Sequence, residues 1–463
     1  MIHRLTAPVL ALALALPLAA PAAAVAATAL VLNARNAGPG SFRDAVDRAN
    51  GNPAITTIQF LPTVRTIRLT ATVEFTGRQP LGIQGAGATL DGAGLASGAV
   101  LLATGGGDLA VSNLTVRGGP AEGLDVEVPP TATGVQRVWL FNVAVIDNLG
   151  HGVLVNDQVD PTAPDEGEPN PAGSAAGLEV TVLASRFLHN GFSVSDRDGV
   201  RVNEGGDGHL VFVMRLSAAD GNGADGVELD ERGRGDVRID VFGSRFTANG
   251  PLDPADLDDG FDIDELNEGS IIGQVGLTSA NDNFEEGLDF NENHAGDLRV
   301  NLLLVEANGN REEAIDYEED DDFAGGGDLV TTMVGVRASG SGADGGDGAV
   351  KIREKGAGNL QAWLNGVDTR GNDYDGINIR EDADGWLQAS IVRATSTGNA
   401  GEGIVYDERG DGDLSAALAN STALGNGGPD LFANQASTGA GTFMITNVTF
   451  ASSGGNVTPT VTP

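Results

Sequence analysis

From residue 198 onward the chain repeats a short phrase in which apolar and polar positions alternate before a glutamate. It reads Asp198-Gly-Val-Arg-Val-Asn-Glu204, then Asp225-Gly-Val-Glu-Leu-Asp-Glu231, Asp259-Gly-Phe-Asp-Ile-Asp-Glu265, Glu286-Gly-Leu-Asp-Phe-Asn-Glu292 and Glu313-Ala-Ile-Asp-Tyr-Glu-Glu319. Three more copies end at Glu354, Glu381 and Glu408. Alternation with period two predicts strands. A recurrence every 27 residues, stretched to 34 or 35 where a turn is longer, predicts a stack of similar coils.

Each phrase is followed by a glycine turn such as Gly235-Asp236, Gly296-Asp297 or Gly412-Asp413, and then by a second apolar strand such as Val237–Val241. A third short strand leads to Asn249-Gly250, Asn308-Gly309, Asn399 or Asn426-Gly427, and the next phrase begins. Three strands and three turns per coil predict an all-β, right-handed parallel β-helix over residues 61–450, with regular acidic coils at 191–420. Residues 27–60 are expected to cap its first edge. There Ser41 is placed to N-cap a helix with Phe42, Ala45, Val46 and Ala49 on one face. The Pro-, Asp- and Glu-rich stretch 157–176 reads as a projecting loop, and 451–463 as a frayed end or linker.

Composition sharpens this picture. The 68 glycines and the absence of cysteine suit a solenoid that is not stapled by disulfides. Arg4, the apolar run Ala7–Ala20 and the small residues Ala24-Val25-Ala26 resemble an export signal over 1–26, interrupted by Pro17 and Pro21. The expected location is therefore secreted or at a bacterial cell surface. No later run is long enough to span a membrane. The net charge is −38, and residues 191–420 hold 49 of the 65 acidic but only 17 of the 27 basic residues. Such a surface excludes nucleic acid as a partner and suits divalent cations.

The coil pattern resembles the right-handed parallel β-helix, or pectin-lyase-like, superfamily. The opening Gly38-Pro-Gly-Ser-Phe-Arg-Asp-Ala-Val-Asp-Arg-Ala-Asn50, followed by Ile58-Gln-Phe60, is similar to the first segment of large exported bacterial β-helix repeat proteins. The resemblance implies the fold and says little about activity, because this fold hosts lyases, hydrolases, adhesins and structural proteins. The Arg-Pro and Trp-Ile-Asp-His-like signatures of the pectate lyases are not found in this sequence.

The candidate chemistry is carboxylate chemistry. The ladder Glu204, Glu231, Glu265, Glu292, Glu319, Glu354, Glu381 and Glu408 shares the parity of the core residues but stands where each strand turns. Three arrangements relieve stacking of like charges about 4.8 Å apart: hydrogen bonds from the following turn, pairing with nearby arginines, or a shared Ca²⁺. The outward positions form a second series, with Glu228/Asp230, Asp262/Asp264, Asp289/Asn291 and Asp316/Glu318 giving way to Lys351, Arg353 and Arg380. Its plain reading is a solvated acidic face. Its functional reading is a Ca²⁺-lined groove with Asp262, Asp264, Asp289, Asp316 and Glu318 as ligands, binding an acidic polysaccharide or cell-surface glycan. If the groove were catalytic, β-elimination on a polyuronate would use the metal to acidify the uronate and Lys351, Arg353 or Arg380 as base. The histidines are too scattered for a zinc site.

Overall fold

The computed structural model describes residues 26–157, 173–193, 196–252, 257–320 and 326–461. The export signal expected over 1–26, apart from Ala26, and most of the loop expected over 157–176 lie outside these residues. The loop's two ends are tied together, since Asp157 accepts hydrogen bonds from the backbone N–H and the hydroxyl of Ser174, at 3.1 and 2.8 Å.

The chain winds into a right-handed parallel β-helix of about 15 turns. Strand pairing is parallel and in register throughout the acidic coils: Val227 lies beside Phe261, Leu229 beside Ile263 and Glu231 beside Glu265. The phrase strands form one 14-stranded stack. The second and third strands of every coil belong to one 26-stranded sheet, because some early strands, such as Leu109–Arg117 and Thr133–Ile146, run through the bend that separates them elsewhere. At that bend one residue per coil takes the left-handed conformation. Asn113, Asn142, Gly243 and Asn420 do so at little cost, but Leu216, Leu277 and Leu304 do so against the usual preference.

The helix Phe42–Gly51 closes the first coil. Ser41 accepts the Asp44 N–H, and Asp44 in turn accepts the N–H of Gly40, one residue before the cap. Its buried face is Phe42, Ala45, Val46 and Ala49, and the Phe42 ring sits 5.2 Å from Phe60. The strand Ala27–Val31 already pairs with Ile55–Phe60, so the stack begins within the segment expected as a cap. At the other end residues 451–461 join the stack: Ser453–Gly454 pairs with Leu431–Phe432, and Thr460–Val461 pairs with Met444–Ile445.

Two polar ladders run through the interior. Asn148, Asn190, Asn222, Asn249, Asn283 and Asn310 pass amide hydrogen bonds from coil to coil at 2.9–3.2 Å. Ser341 interrupts the series before Asn372, Asn399 and Asn426 resume it. The glutamate ladder is the second. All eight glutamates are buried, and their strands stack in register. Asp157 precedes them and Gln435 follows them in the same register. Glu204, Glu231, Glu265, Glu292, Glu381 and Glu408 each accept the backbone N–H two residues on, and Glu319 accepts that of Gly327. Burial first, and then the neighbouring glutamates, push Glu204 up to about 10, Glu354 to about 11 and Glu408 to about 9.

Candidate cation-binding cleft

Strand register arranges the outward residues into columns. One column runs Arg201, Glu228 and Asp262, and continues through Asp289 and Asp316 to Lys351. Four consecutive acids therefore stand between two cations. Beneath them the inward residues of the same phrases include Phe261, Phe290 and Tyr317, whose rings follow one another at 6.3 and 4.8 Å. This dry aromatic floor is a poor solvent for charge. The pairing also thins here. The five-residue strand Phe261–Glu265 is followed by only Asn291–Glu292 and Glu318–Glu319, before pairing recovers at Gly348–Glu354. Like charges in direct register oppose such pairing.

The ends of the column are neutralised by the protein. Arg201 reaches Glu228 at 2.6 Å and Asp230 at 3.0 Å, and also meets Asp196 and Asp198. Lys351 bonds Asp316 at 2.6 Å and Glu318 at 3.0 Å, with Glu313 at 4.0 Å. Lys355 joins Glu318 to Asp320. Arg353 and Arg380 both turn to Asp382, at 2.8 and 2.5 Å. All three residues considered as a base are thus held in ion pairs. Burial opposes the charge on Lys351, but Asp316 and Glu313 outweigh it and raise its pKa.

The middle of the column has no such relief. Asp225, Asp259, Asp262, Asp264, Glu286 and Asp289 line a cleft of about 410 Å³. None of the six forms an ion pair among the described residues. One oxygen each of Asp262 and Asp289 is shielded from solvent without a hydrogen-bond partner. Burial, followed by the surrounding carboxylates, raises the pKa of Asp225, Asp259, Asp262, Glu286 and Asp289 well above the carboxylate range and that of Asp264 to about 7.

Carboxylate oxygens converge in sets, each with its members within 4.8 Å of one another: Asp225–Glu228–Asp262, Asp259–Asp262–Asp289, Asp259–Glu285–Glu286 and Glu286–Glu312–Glu313. A fifth set, Asp196–Asp198–Glu228, surrounds Arg201. The donors are all hard oxygens from successive coils, the set that suits Ca²⁺. Of the residues expected to be ligands, Asp262 and Asp289 fall in these sets. Asp264 lines the cleft outside them, while Asp316 and Glu318 are bound to Lys351. The expectation missed the residues that open each phrase, Asp225, Asp259 and Glu286, and their neighbour Glu285. The expectation of a solvated face also fails. Glu228 is 7% exposed and Asp230 fully buried, because Arg201 and Arg232 bind across them.

Fold and site together define an acidic parallel β-helix with a carboxylate cleft on its phrase face. No family model matches the chain, and no curated protein matches it. Among solved structures it is similar to the A-module of mannuronan C-5 epimerase AlgE6 from Azotobacter vinelandii, with 12% identity over 88% of this chain and 94% of that one and a TM-score of 0.33. It is also similar to the catalytic domain of a GH87 α-1,3-glucanase in complex with nigerose (10% identity, 88% and 69% covered, TM-score 0.29). A third is the receptor-binding domain of the siphovirus 9NA tailspike (11%, 93% and 75%, 0.23). Among the described residues no helix is long and apolar enough to cross a membrane.

Proposed function

We propose that this is an exported, non-catalytic β-helix of the pectin-lyase-like kind that binds divalent cations, Ca²⁺ foremost, in the cleft on its acidic face, and through them anionic glycans. The observation that carries the reading is the column itself. Arg201 and Lys351 satisfy its ends, while Asp262 and Asp289 keep shielded oxygens without partners. A buried charge without a partner is costly, and a divalent cation between these carboxylates removes that cost. Export is inferred from Arg4, the apolar run Ala7–Ala20 and the small residues before Ala27.

The alternative, a Ca²⁺-dependent polyuronate lyase, needs a base that gives up its proton near neutral pH. Lys351, surrounded by Asp316, Glu313 and Glu318, has its pKa moved the opposite way. The test combines melting in EDTA and in millimolar Ca²⁺ with incubation on a panel of polyuronates. Stabilisation by Ca²⁺, with no rise in the ultraviolet absorbance of unsaturated products, is the expected result. Identical melting in both buffers would overturn the cation reading, and a Ca²⁺-dependent rise in absorbance would establish the lyase instead.

A further inference from the structure

We infer that the cleft holds divalent cations as a row sharing carboxylates. The central ion lies between Asp259, Asp262 and Asp289, and its neighbours lie at Asp225–Glu228–Asp262 and at Asp259–Glu285–Glu286. The inference rests on the cation reading above and adds number, order and ligands to it.

Three observations carry it. First, the sets overlap: Asp262 and Asp259 each belong to two, and Glu286 links the third to Glu286–Glu312–Glu313. A carboxylate shared in this way bridges two ions, with one on each oxygen or with both on a single oxygen. Second, Glu286 is more than nine-tenths buried and faces the cleft. Its carboxylate has no hydrogen bond or ion pair among the described residues. Asp259 and Asp225 are buried as deeply, and each spends one oxygen on the backbone N–H that opens the next coil's phrase, those of Glu286 and Asp259. The second oxygen of each remains for a cation. Third, charge demands more than one ion. Among the described residues six carboxylates lining the cleft lack a protein cation, and a single dication balances two of them.

The geometry suits calcium. Ca–O bonds of roughly 2.3–2.6 Å place two ligand oxygens on one ion no more than about 5 Å apart, and the sets span 4.8 Å. Each set draws on three residues from two successive coils. Every ion would therefore clamp consecutive coils, and those at Asp259–Asp262–Asp289 and Asp259–Glu285–Glu286 would do so where strand pairing is thinnest. Positions not filled by protein face the opening of the cleft, where water or the acid groups of a glycan complete the shell.

The test is equilibrium dialysis of the full chain against CaCl₂ at pH 7.5, with bound calcium counted by elemental analysis. Three or more ions per chain are expected. Asp262→Asn, which removes a ligand shared by two sets, is expected to lose two ions, and Asp225→Asn, which touches one set, to lose one. Circular dichroism checks that both variants keep the fold, and the wild-type count stands without them. One or two ions per chain would overturn the row and leave the cation reading intact, as would equal losses in the two variants. No bound calcium would overturn both.

Discussion

Replacing Asp289 with asparagine should stabilise the protein in EDTA and destabilise it in calcium. Asp289 stands within 4.8 Å of Asp259 and Asp262 and has a shielded oxygen without a partner. Two like charges about 4 Å apart at an effective dielectric near 20 repel by roughly 4 kcal/mol, which bounds the effect from above. The cluster relieves part of this by taking up protons, as the raised pKa of Asp289 implies. A gain of about 1–2 kcal/mol for Asp289→Asn in EDTA is therefore reasonable. In calcium the sign reverses, because an ion at a hundredfold excess over its Kd contributes about 2.7 kcal/mol to the wild type and the variant has lost a ligand. For a chain of this size each kcal/mol moves Tm by about 1 °C. Differential scanning calorimetry at pH 7.5 should show the variant melting a degree or two above wild type in EDTA and a similar amount below it in 5 mM CaCl₂. Equal destabilisation in both buffers would refute the argument, since Asp289 would then be a packing residue whose charge is not in conflict with its neighbours.

The glutamate ladder makes stability fall with rising pH. For Glu204, Glu354 and Glu408 the folded pKa lies above the ordinary glutamate value of 4.5, at about 10, 11 and 9, so their contribution is complete below about 4.5 and is lost as pH rises through 9–11. Glu354→Gln, which puts on this rung the amide that Gln435 already places at the ladder's end, should melt above wild type at pH 9 and close to it at pH 5. A pH-independent difference would contradict this. Asn249→Ala removes the acceptor for Asn222 and the donor to Asn283 and Ala219, all buried. It should cost about 3 kcal/mol in urea denaturation, and a cost below 1 kcal/mol would mean the amide ladder is not a major stabilising element.

The repeat was legible because coil geometry imposes it on every copy. Parity put Val227 and Leu229 inside, and the capping residues around Ser41 identified the helix without any tertiary information. The glutamate ladder was legible as a series, yet Asp157 and Gln435 were missed because they carry a different residue in the same frame, Val153–Asp157 and Leu431–Gln435. In the sequence the amide ladder reads only as turn punctuation: Asn249 and Asn399 stand before turns, and in the coil of Asn308 the turn pattern points to that residue although Asn310 is the rung. The cleft was half legible. Alternation along a strand says which side chains point outward, but it does not say what folds across them. Arg201 and Arg232 bury Glu228 and Asp230, and the phrase-opening Asp259 closes on Asp262 and Asp289 from the preceding turn. Asp259 reaches both Asp262 and Asp289, whereas Glu286 reaches Asp259 and Glu285, and those contacts depend on how the turns stack.

The most direct test of the cation cleft is a crystal grown in calcium, or soaked with terbium, and examined by anomalous diffraction. The account predicts a peak bonded to Asp259, Asp262 and Asp289 at roughly 2.3–2.6 Å from their oxygens, with Lys351 still on Asp316. A map with no anomalous peak in the cleft, and the same carboxylates paired with one another through shared protons, would contradict it.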